Sequence, residues 1–296
     1  MQETPYLTTD EAAAYLRLKE RKLYDMAAHG AVPCSKVTGK WLFPRAALDR
    51  WVEAGLHLPE GAASAAPPPI IGGSHDPLLD WAARRAASGL ALMSEGSEAG
   101  LDRLGANKIA IAAIHLHDQG ADIATNEAAV AARADLADAV VIGFARREVG
   151  LLLASGNPHG VTSLADAVAG RLTFGMRQRG AGAQLMLERL LARAALPLDR
   201  LNLAPGAHPT GSDLALAIRA GSVDCGIASA AVARTLGLDF VPIGWEAFDL
   251  VMRRRSYFEP GPQGLLAVMR QPEFARQAAL LGGYDLSESG RVRLNR

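Results

Sequence analysis

The chain has 296 residues, 49% of them hydrophobic and 21% charged, a composition suited to a small domain plus a larger one. Its 31 Lys and Arg balance 31 Asp and Glu, which excludes a globally basic nucleic-acid binder; any DNA contact must come from a local patch. Two cysteines far apart, Cys34 and Cys225, argue against a disulfide scaffold or a zinc finger and fit a reducing compartment.

Met1-Gln2-Glu3-Thr4-Pro5 has neither the basic start nor the apolar core of a signal peptide. No apolar run is long enough to span a bilayer. A soluble, cytoplasmic protein with no membrane partner is expected. Thr8-Thr9-Asp10-Glu11 reads as a helix start, with Thr8 as cap and Glu11 closing a capping box. Ala12, Tyr15 and Leu16 then share one face at helical spacing. A break near Arg17-Leu18-Lys19 precedes a second helix from Glu20 through Leu23, Tyr24 and Ala27, and Gly30 suits a left-handed C-cap. Two short β-like runs, 32–37 and 40–43, flank Thr38-Gly39 and read as a hairpin. Pro44-Arg45 opens a last helix over 46–52, with Leu48, Trp51 and Val52 expected to face inward.

Helix, tight turn, helix, basic hairpin, helix is the plan of a winged helix-turn-helix. The second helix of such a motif meets the major groove with its N-terminal residues. Here Lys19, Arg21 and Lys22 occupy that place, with Tyr24 one turn on. Arg21 suits a guanine edge, whereas Lys19 and Lys22 suit phosphates. Lys36 and Lys40 fall on the hairpin, where a wing touches the backbone or minor groove. The residues Leu7-Thr8-Thr9-Asp10-Glu11-Ala12-Ala13, Tyr24, Gly30 and Trp41-Leu42-Phe43-Pro44 resemble the excisionase and MerR-like DNA-binding family. The resemblance implies double-stranded DNA as a partner.

Residues 1–55 are therefore expected to form the DNA-binding domain, 56–69 a linker and 70–296 a ligand-binding domain. The linker ends in Pro67-Pro68-Pro69 after an Ala- and Gly-rich stretch from Glu60 and reads as a semi-rigid spacer.

Beyond it, short apolar strands alternate with Ala- and Leu-rich helices, which argues for open α/β sheets with ligands at the carboxyl ends of strands. Predicted strands fall at 70–73, 90–93, 108–115, 140–145, 149–154, 171–175, 224–227 and 240–243. Three loops feed helix N-termini with small polar residues: at Ser74, at Ser94 to Ser97 through Gly96, and at Arg177 to Gly182. Such loops offer unpaired N–H groups and a positive dipole end to an anion. In the third, Arg177 and Arg179 add guanidinium groups, while Gly180, Ala181 and Gly182 allow close backbone approach. His75 and His115 fit no metal-ligand spacing and are assigned to the pocket wall. No Ser/His/Asp set is suggested by spacing, so neither a catalytic residue nor a metal or other cofactor is expected.

Gly96-Ser97, Ala113-Ile114-His115-Leu116, Gly150-Leu151-Leu152-Leu153-Ala154-Ser155-Gly156-Asn157-Pro158, Arg177-Gln178-Arg179-Gly180-Ala181-Gly182 and Ala220-Gly221-Ser222-Val223-Asp224-Cys225-Gly226 resemble the periplasmic solute-binding-protein-like domain. The similarity is to its cytoplasmic form, found fused to helix-turn-helix units or to molybdopterin-biosynthesis proteins. It implies an α/β fold with a two-lobed, type II periplasmic-binding-protein-like domain. It also implies a hinge at 149–155 and 247–253, and a molybdate, tungstate or molybdenum-cofactor-related ligand. Ser74, Ser94, Ser97 and His115 would line one lobe, and Arg177 to Gly182 the other. The chain departs from the family at Ala207-His208-Pro209-Thr210-Gly211-Ser212-Asp213. The expected protein is a homodimeric, ligand-responsive transcriptional regulator. The alternatives are an enzyme of molybdopterin metabolism and an anion-binding module without specific DNA binding.

Overall fold

The computed structural model describes residues 5–54, 66–116 and 126–296. Residues 56–65 of the predicted linker, Met1 to Thr4 at the start, and His117 lie outside them. The chain divides into two compact units, Met1–Ala65 and Ala66–Arg296.

The first unit contains β1 (Tyr6–Leu7), α1 (Thr9–Tyr15), α2 (Glu20–Ala28), β2 (Phe43–Pro44) and α3 (Arg45–Ala54). The predicted capping box forms, with the Thr8 amide donating to Glu11 Oε2 at 2.8 Å. After α2 the Ala31 amide reaches the Met26 carbonyl and the Gly30 amide that of Ala27, with Gly30 at φ +67°, a left-handed helix stop. Leu7, Leu23, Phe43 and Leu48 close a small buried core. Tyr15 braces α1 against α3: its hydroxyl meets Asp49 Oδ1 at 2.5 Å and Arg45 lies over its ring. The predicted inward positions Trp51 and Val52 are instead part-exposed, at 37% and 44%. Leu48 alone of the three is buried, and it completes the core. The predicted hairpin reduces to one antiparallel bridge, Ser35 with Leu42. Phe43 and Pro44 pair with β1 instead, which ties the wing base to the start of the unit.

The second unit runs β3 (Ile70–Gly73), α4 (Pro77–Ala86), β4 (Ala91–Ser94), α5 (Ser97–Gly105), β5 (Ile111–Ile114), α6 (Asn126–Ala131) and β6 (Ala139–Leu153). It continues with α7 (Leu164–Ala169), β7 (Thr173–Phe174), α8 (Gly182–Arg193), β8 (Asn202–Leu203), α9 (Gly211–Arg219), β9 (Cys225–Ser229), α10 (Ala230–Leu236) and β10 (Asp239–Arg253). The chain closes with α11 (Arg254–Tyr257), α12 (Pro260–Met269), α13 (Pro272–Leu281), β11 (Tyr284–Asp285) and β12 (Val292–Asn295).

The strand order is β4-β3-β5-β10-β6-β9-β7-β8. The two central strands are each 15 residues long, roughly 50 Å of extended chain, and lie antiparallel along nearly their whole length. Residues 249–252 of β10 pair with β5, whereas 149–153 of β6 pair with β9. One end of the ladder therefore belongs to a first lobe and the other end to a second. Each lobe buries apolar side chains on both faces of its sheet. In the first, Phe144, Phe248 and Phe274 pack on one face and Leu101, Leu104 and Ile109 on the other. In the second, Phe174, Leu187 and Ile227 oppose Leu214, Ile218 and Val232.

Two expectations change here. The predicted strands 140–145 and 149–154 are one strand, because Arg146-Arg147-Glu148 stays in the ladder opposite Ala247, Glu246 and Trp245. The crossing between lobes then falls near 146–148 and 244–246, rather than at 149–155 and 247–253, whose residues pair inside the lobes. Arg253 binds Asp138 and the carbonyls of Gly105 and Asp135, so it pins the end of β10. Trp245, on the crossing strand, is 45% exposed. No helix among the described residues is long and apolar enough to cross a membrane.

Candidate functional site

The lobe crossing places a charged cluster in the middle of an apolar ladder. Arg147, on β6, lies in register with Glu246, on β10. Its Nε donates to Glu246 Oε1 at 2.5 Å, and its Nη1 donates to Asp76 Oδ2 at 3.1 Å. The guanidinium also covers the Phe248 ring at 4.3 Å. Asp76 in turn caps α4, accepting from the Leu78 and Leu79 amides at 2.9 and 3.0 Å, and accepts from the Tyr284 hydroxyl at 2.9 Å. Burial works against the charge on Arg147, but Glu246 and Asp76 outweigh it and hold the guanidinium above its ordinary pKa. Burial, and then the Asp76 charge, push the Tyr284 phenol well above its usual value.

Around this cluster His75, His115, Val149, Arg177, Ala183, Gly211, Ala228, Ser229, Val232 and Glu246 enclose a cleft. The free space among them is about 20 Å³, room for little more than a water molecule. The walls touch. A Cβ added to Gly182 would lie 2.0 Å from the His115 carbonyl oxygen, so α8 of the second lobe abuts the chain just past β5 of the first as only glycine allows. A Cβ on Gly180 would meet Glu98, and one on Gly96 would press on Gln178 and Ala181. The lobes are closed on one another.

Arg177 is the cation of the second lobe. Its Nε donates to the His208 carbonyl and its Nη2 to the Pro209 carbonyl, both at 2.9 Å. Among the described residues no carboxylate lies within 4 Å of its guanidinium nitrogens. Burial, and then the nearby Arg147 charge, bring its pKa down to about 10. The segment in which the chain departs from its family thus has a definite place. The His208 and Pro209 carbonyls hold Arg177, and Thr210 with Asp213 forms a capping box that starts α9 at Gly211 on the cleft wall.

The predicted pocket residues divide into groups. His75, His115, Arg177 and the Gly182 end of α8 converge on the cleft. Ser74 and Ser97 lie beside it, but their hydroxyls bind each other at 2.8 Å. Ser97 Oγ also accepts from the His115 amide at 3.0 Å. These serines brace the chain at His115, just past β5, so their hydroxyls are committed inside the lobe. Gly96 and Ala181 pack against each other across the lobe boundary. Ser94 and Arg179 stand exposed and do not line the cleft. Arg179, Gly180 and Arg177 border a second, open hollow of about 450 Å³ with Glu98, Gln184 and Glu188. Sequence reading missed Arg147, Glu246 and Asp76. The one signal was the charged triplet 146–148 inside an otherwise apolar run. Among the described residues no group of three or more His, Cys, Asp or Glu is placed to hold a metal ion.

In the first unit Lys19, Arg21, Lys22, Tyr24, Lys36 and Lys40 are all exposed. Tyr24, Lys36 and Lys40 border a groove of about 580 Å³ between α2 and the wing, with Thr8, Thr9 and Trp41. Trp41 meets Tyr24 edge to face at 6.5 Å and carries Lys36 over its ring at 4.8 Å. Lys19, Arg21 and Lys22 sit at the N-terminal end of α2, where Lys19 is the cap residue.

A family model described as a PBP superfamily domain matches residues 80–270, and one described as a helix-turn-helix domain matches residues 6–55. The chain is 22% identical to the uncharacterized protein YvgK of Bacillus subtilis (strain 168), over 99% of both chains. Among solved structures it is similar to PhnD1 from Prochlorococcus marinus (MIT 9301) in complex with methylphosphonate. That match has 12% identity over 74% of this chain and 92% of that one, with a TM-score of 0.51. It is also similar to a hydrogen-peroxide-bound cysteine-to-serine mutant of Corynebacterium glutamicum OxyR, at 13% identity over 93% and 89% of the two chains, with a TM-score of 0.50. At such identities the two structures share the fold with this chain.

Proposed function

We propose that this chain, which belongs to the PBP superfamily and carries a helix-turn-helix domain at its N-terminus, is a transcriptional regulator that reads DNA with its first unit and a small anion with its second. One observation carries the anion half of this reading. Arg177 is held at the cleft without a carboxylate, in a place where burial and Arg147 already disfavour its charge. Asp213 and Glu246 act on it only from a distance, and a desolvated cation with no carboxylate in contact is stabilised by an anion that arrives. The N-terminus of α8 beside it adds amide donors and the positive end of a helix dipole. Molybdate, tungstate or a molybdenum-cofactor-related compound is the finer reading, and it rests on family resemblance.

With only about 20 Å³ free, the cleft must open to admit any such ligand. Closure is therefore linked to binding, and the ligand shifts operator affinity by its differential affinity for the two shapes. On the DNA side Arg21 would read a base edge while Lys19, Lys22, Lys36 and Lys40 meet phosphates and Tyr24 packs beside them. A homodimer would match a two-fold symmetric operator. A cytoplasmic location follows from a DNA partner.

The test is a gel shift with the full chain and DNA from upstream of its own gene. Arg21→Ala should weaken specific binding roughly 5- to 150-fold, and Lys36→Ala should lower the salt dependence with little change in sequence preference. No specific shift at low salt would remove the regulator reading. A thermal-shift panel of molybdate, tungstate, sulfate, phosphate and methylphosphonate tests the ligand half through stabilisation by mass action.

A further inference from the structure

The two walls of the cleft carry different charge balances. On the first-lobe and crossing-strand wall Arg147 faces two carboxylates, Asp76 and Glu246, so the acids outnumber the base. On the second-lobe wall Arg177 binds only carbonyl oxygens, and its Nη1 group has no hydrogen-bond partner among the described residues.

His75 adds a second asymmetry. Its Nε2 lies 3.2 Å from Asp80 Oδ2. In the neutral tautomer that donates from Nε2 to Asp80, Nδ1 is left as an acceptor. That Nδ1 atom is buried and has no partner among the described residues, and His75 lines the same cleft. A buried acceptor left unmet is costly, and a donor that meets it is correspondingly favoured.

A bare tetrahedral dianion fits only half of this arrangement. It would satisfy Arg177, but it would bring its charge towards Glu246 and offer no proton to His75. We propose that the ligand carries, besides its anionic group, a hydrogen-bond donor of its own: an organic acid with an amine or hydroxyl substituent. Its oxyanion sits on Arg177 and its donor on the wall of His75 and Glu246. This rests on the reading of the cleft as an anion site and narrows it. Selectivity then comes from both walls, because each leaves an ill-matched ligand with an unpaired polar group.

The experiment uses matched pairs that differ in the donor alone: ethylphosphonate against 2-aminoethylphosphonate, and propionate against 3-hydroxypropionate, with sulfate and molybdate as bare anions. Dissociation constants are measured by calorimetry on the full chain. In at least one pair the donor-bearing member should bind about tenfold tighter or more. Glu246→Gln, or His75→Phe where the first variant does not fold, should shrink that preference, and Arg177→Met should abolish binding of both members. If bare anions bind as tightly as their partners in both pairs while Arg177→Met still removes binding, the donor inference is overturned and the anion reading stands. If no member of the panel binds, both fall together.

Discussion

Replacing Arg177 by methionine separates a functional charge from a structural one. A fall to about 10 from the ordinary, higher arginine value means that the folded state disfavours this charge by about 3 kcal/mol at neutral pH. With the folded value the lower of the two, the cost is present at every pH below about 10 and fades only as pH rises beyond that towards the ordinary arginine value. Methionine removes the charge and keeps most of the apolar stem. It also removes the bonds to the His208 and Pro209 carbonyls, worth roughly 1 kcal/mol each. The balance is a ligand-free protein more stable by about 1 kcal/mol, or at least no weaker. Urea unfolding of the full chain in buffer free of phosphate and sulfate reads this directly. A second arm adds an anion that stabilises the wild type: at a hundred times its Kd the wild type gains about 2.7 kcal/mol, whereas Arg177→Met gains nothing. A loss of about 2 kcal/mol or more without ligand would refute the reasoning, since the guanidinium would then be a tie holding the 208–213 loop.

Gly182→Ala would set a methyl group against the His115 carbonyl, 2.0 Å from its oxygen. Overpacking of that kind costs about 1–3 kcal/mol. Here it falls on the closed state alone, so ligand affinity should drop roughly 5- to 150-fold and small-angle scattering should show a wider second unit; unchanged affinity would mean that closure is not required. Asp249 is buried between Asn126 and Arg293, and burial raises its carboxyl to about 6 against an ordinary 3.8, a rise those two partners only partly offset. The folded state therefore holds a proton that the unfolded chain loses, and this contribution is complete below pH 4 and lost as pH rises through about 6. Between those limits the wild type should lose up to about 3 kcal/mol relative to Asp249→Asn in parallel urea titrations. Parallel curves would show that Asp249 does not titrate there. Arg147→Met leaves Asp76 and Glu246 buried without their cation and should cost about 3–5 kcal/mol in urea midpoint measurements. Adding Glu246→Gln should recover part of that loss, and a double variant no better than the single one would place the damage elsewhere.

The capping box at Thr8 and Glu11, the stop at Gly30 and the alternation of strands with helices are decided within a few residues, by spacing and by local hydrogen bonds. They were legible for that reason, and so was the division into a helix-turn-helix unit and a two-lobed α/β unit. The segment 177–182 was legible in part, because glycines and arginines before an apolar helix mark a turn where backbone and ligand come close. Its members nevertheless part company once folded. Arg177 and Gly182 reach the cleft, while Arg179 two residues on is exposed.

What the sequence determined by itself is the kind of each unit and the presence of a cation-bearing helix start in the second. Only the tertiary structure decided what the cleft is made of. Arg147 meets Asp76 from 71 positions away and Glu246 from 99 positions away, and those pairs exist because two 15-residue strands run side by side through both lobes. The same packing turned Ser74 and Ser97 from expected ligand donors into braces, since two buried hydroxyls within reach of each other and of the His115 backbone satisfy one another first. Local pattern determines which face of an element is apolar, whereas the partner of a buried charge is chosen by whatever chain the fold brings against it.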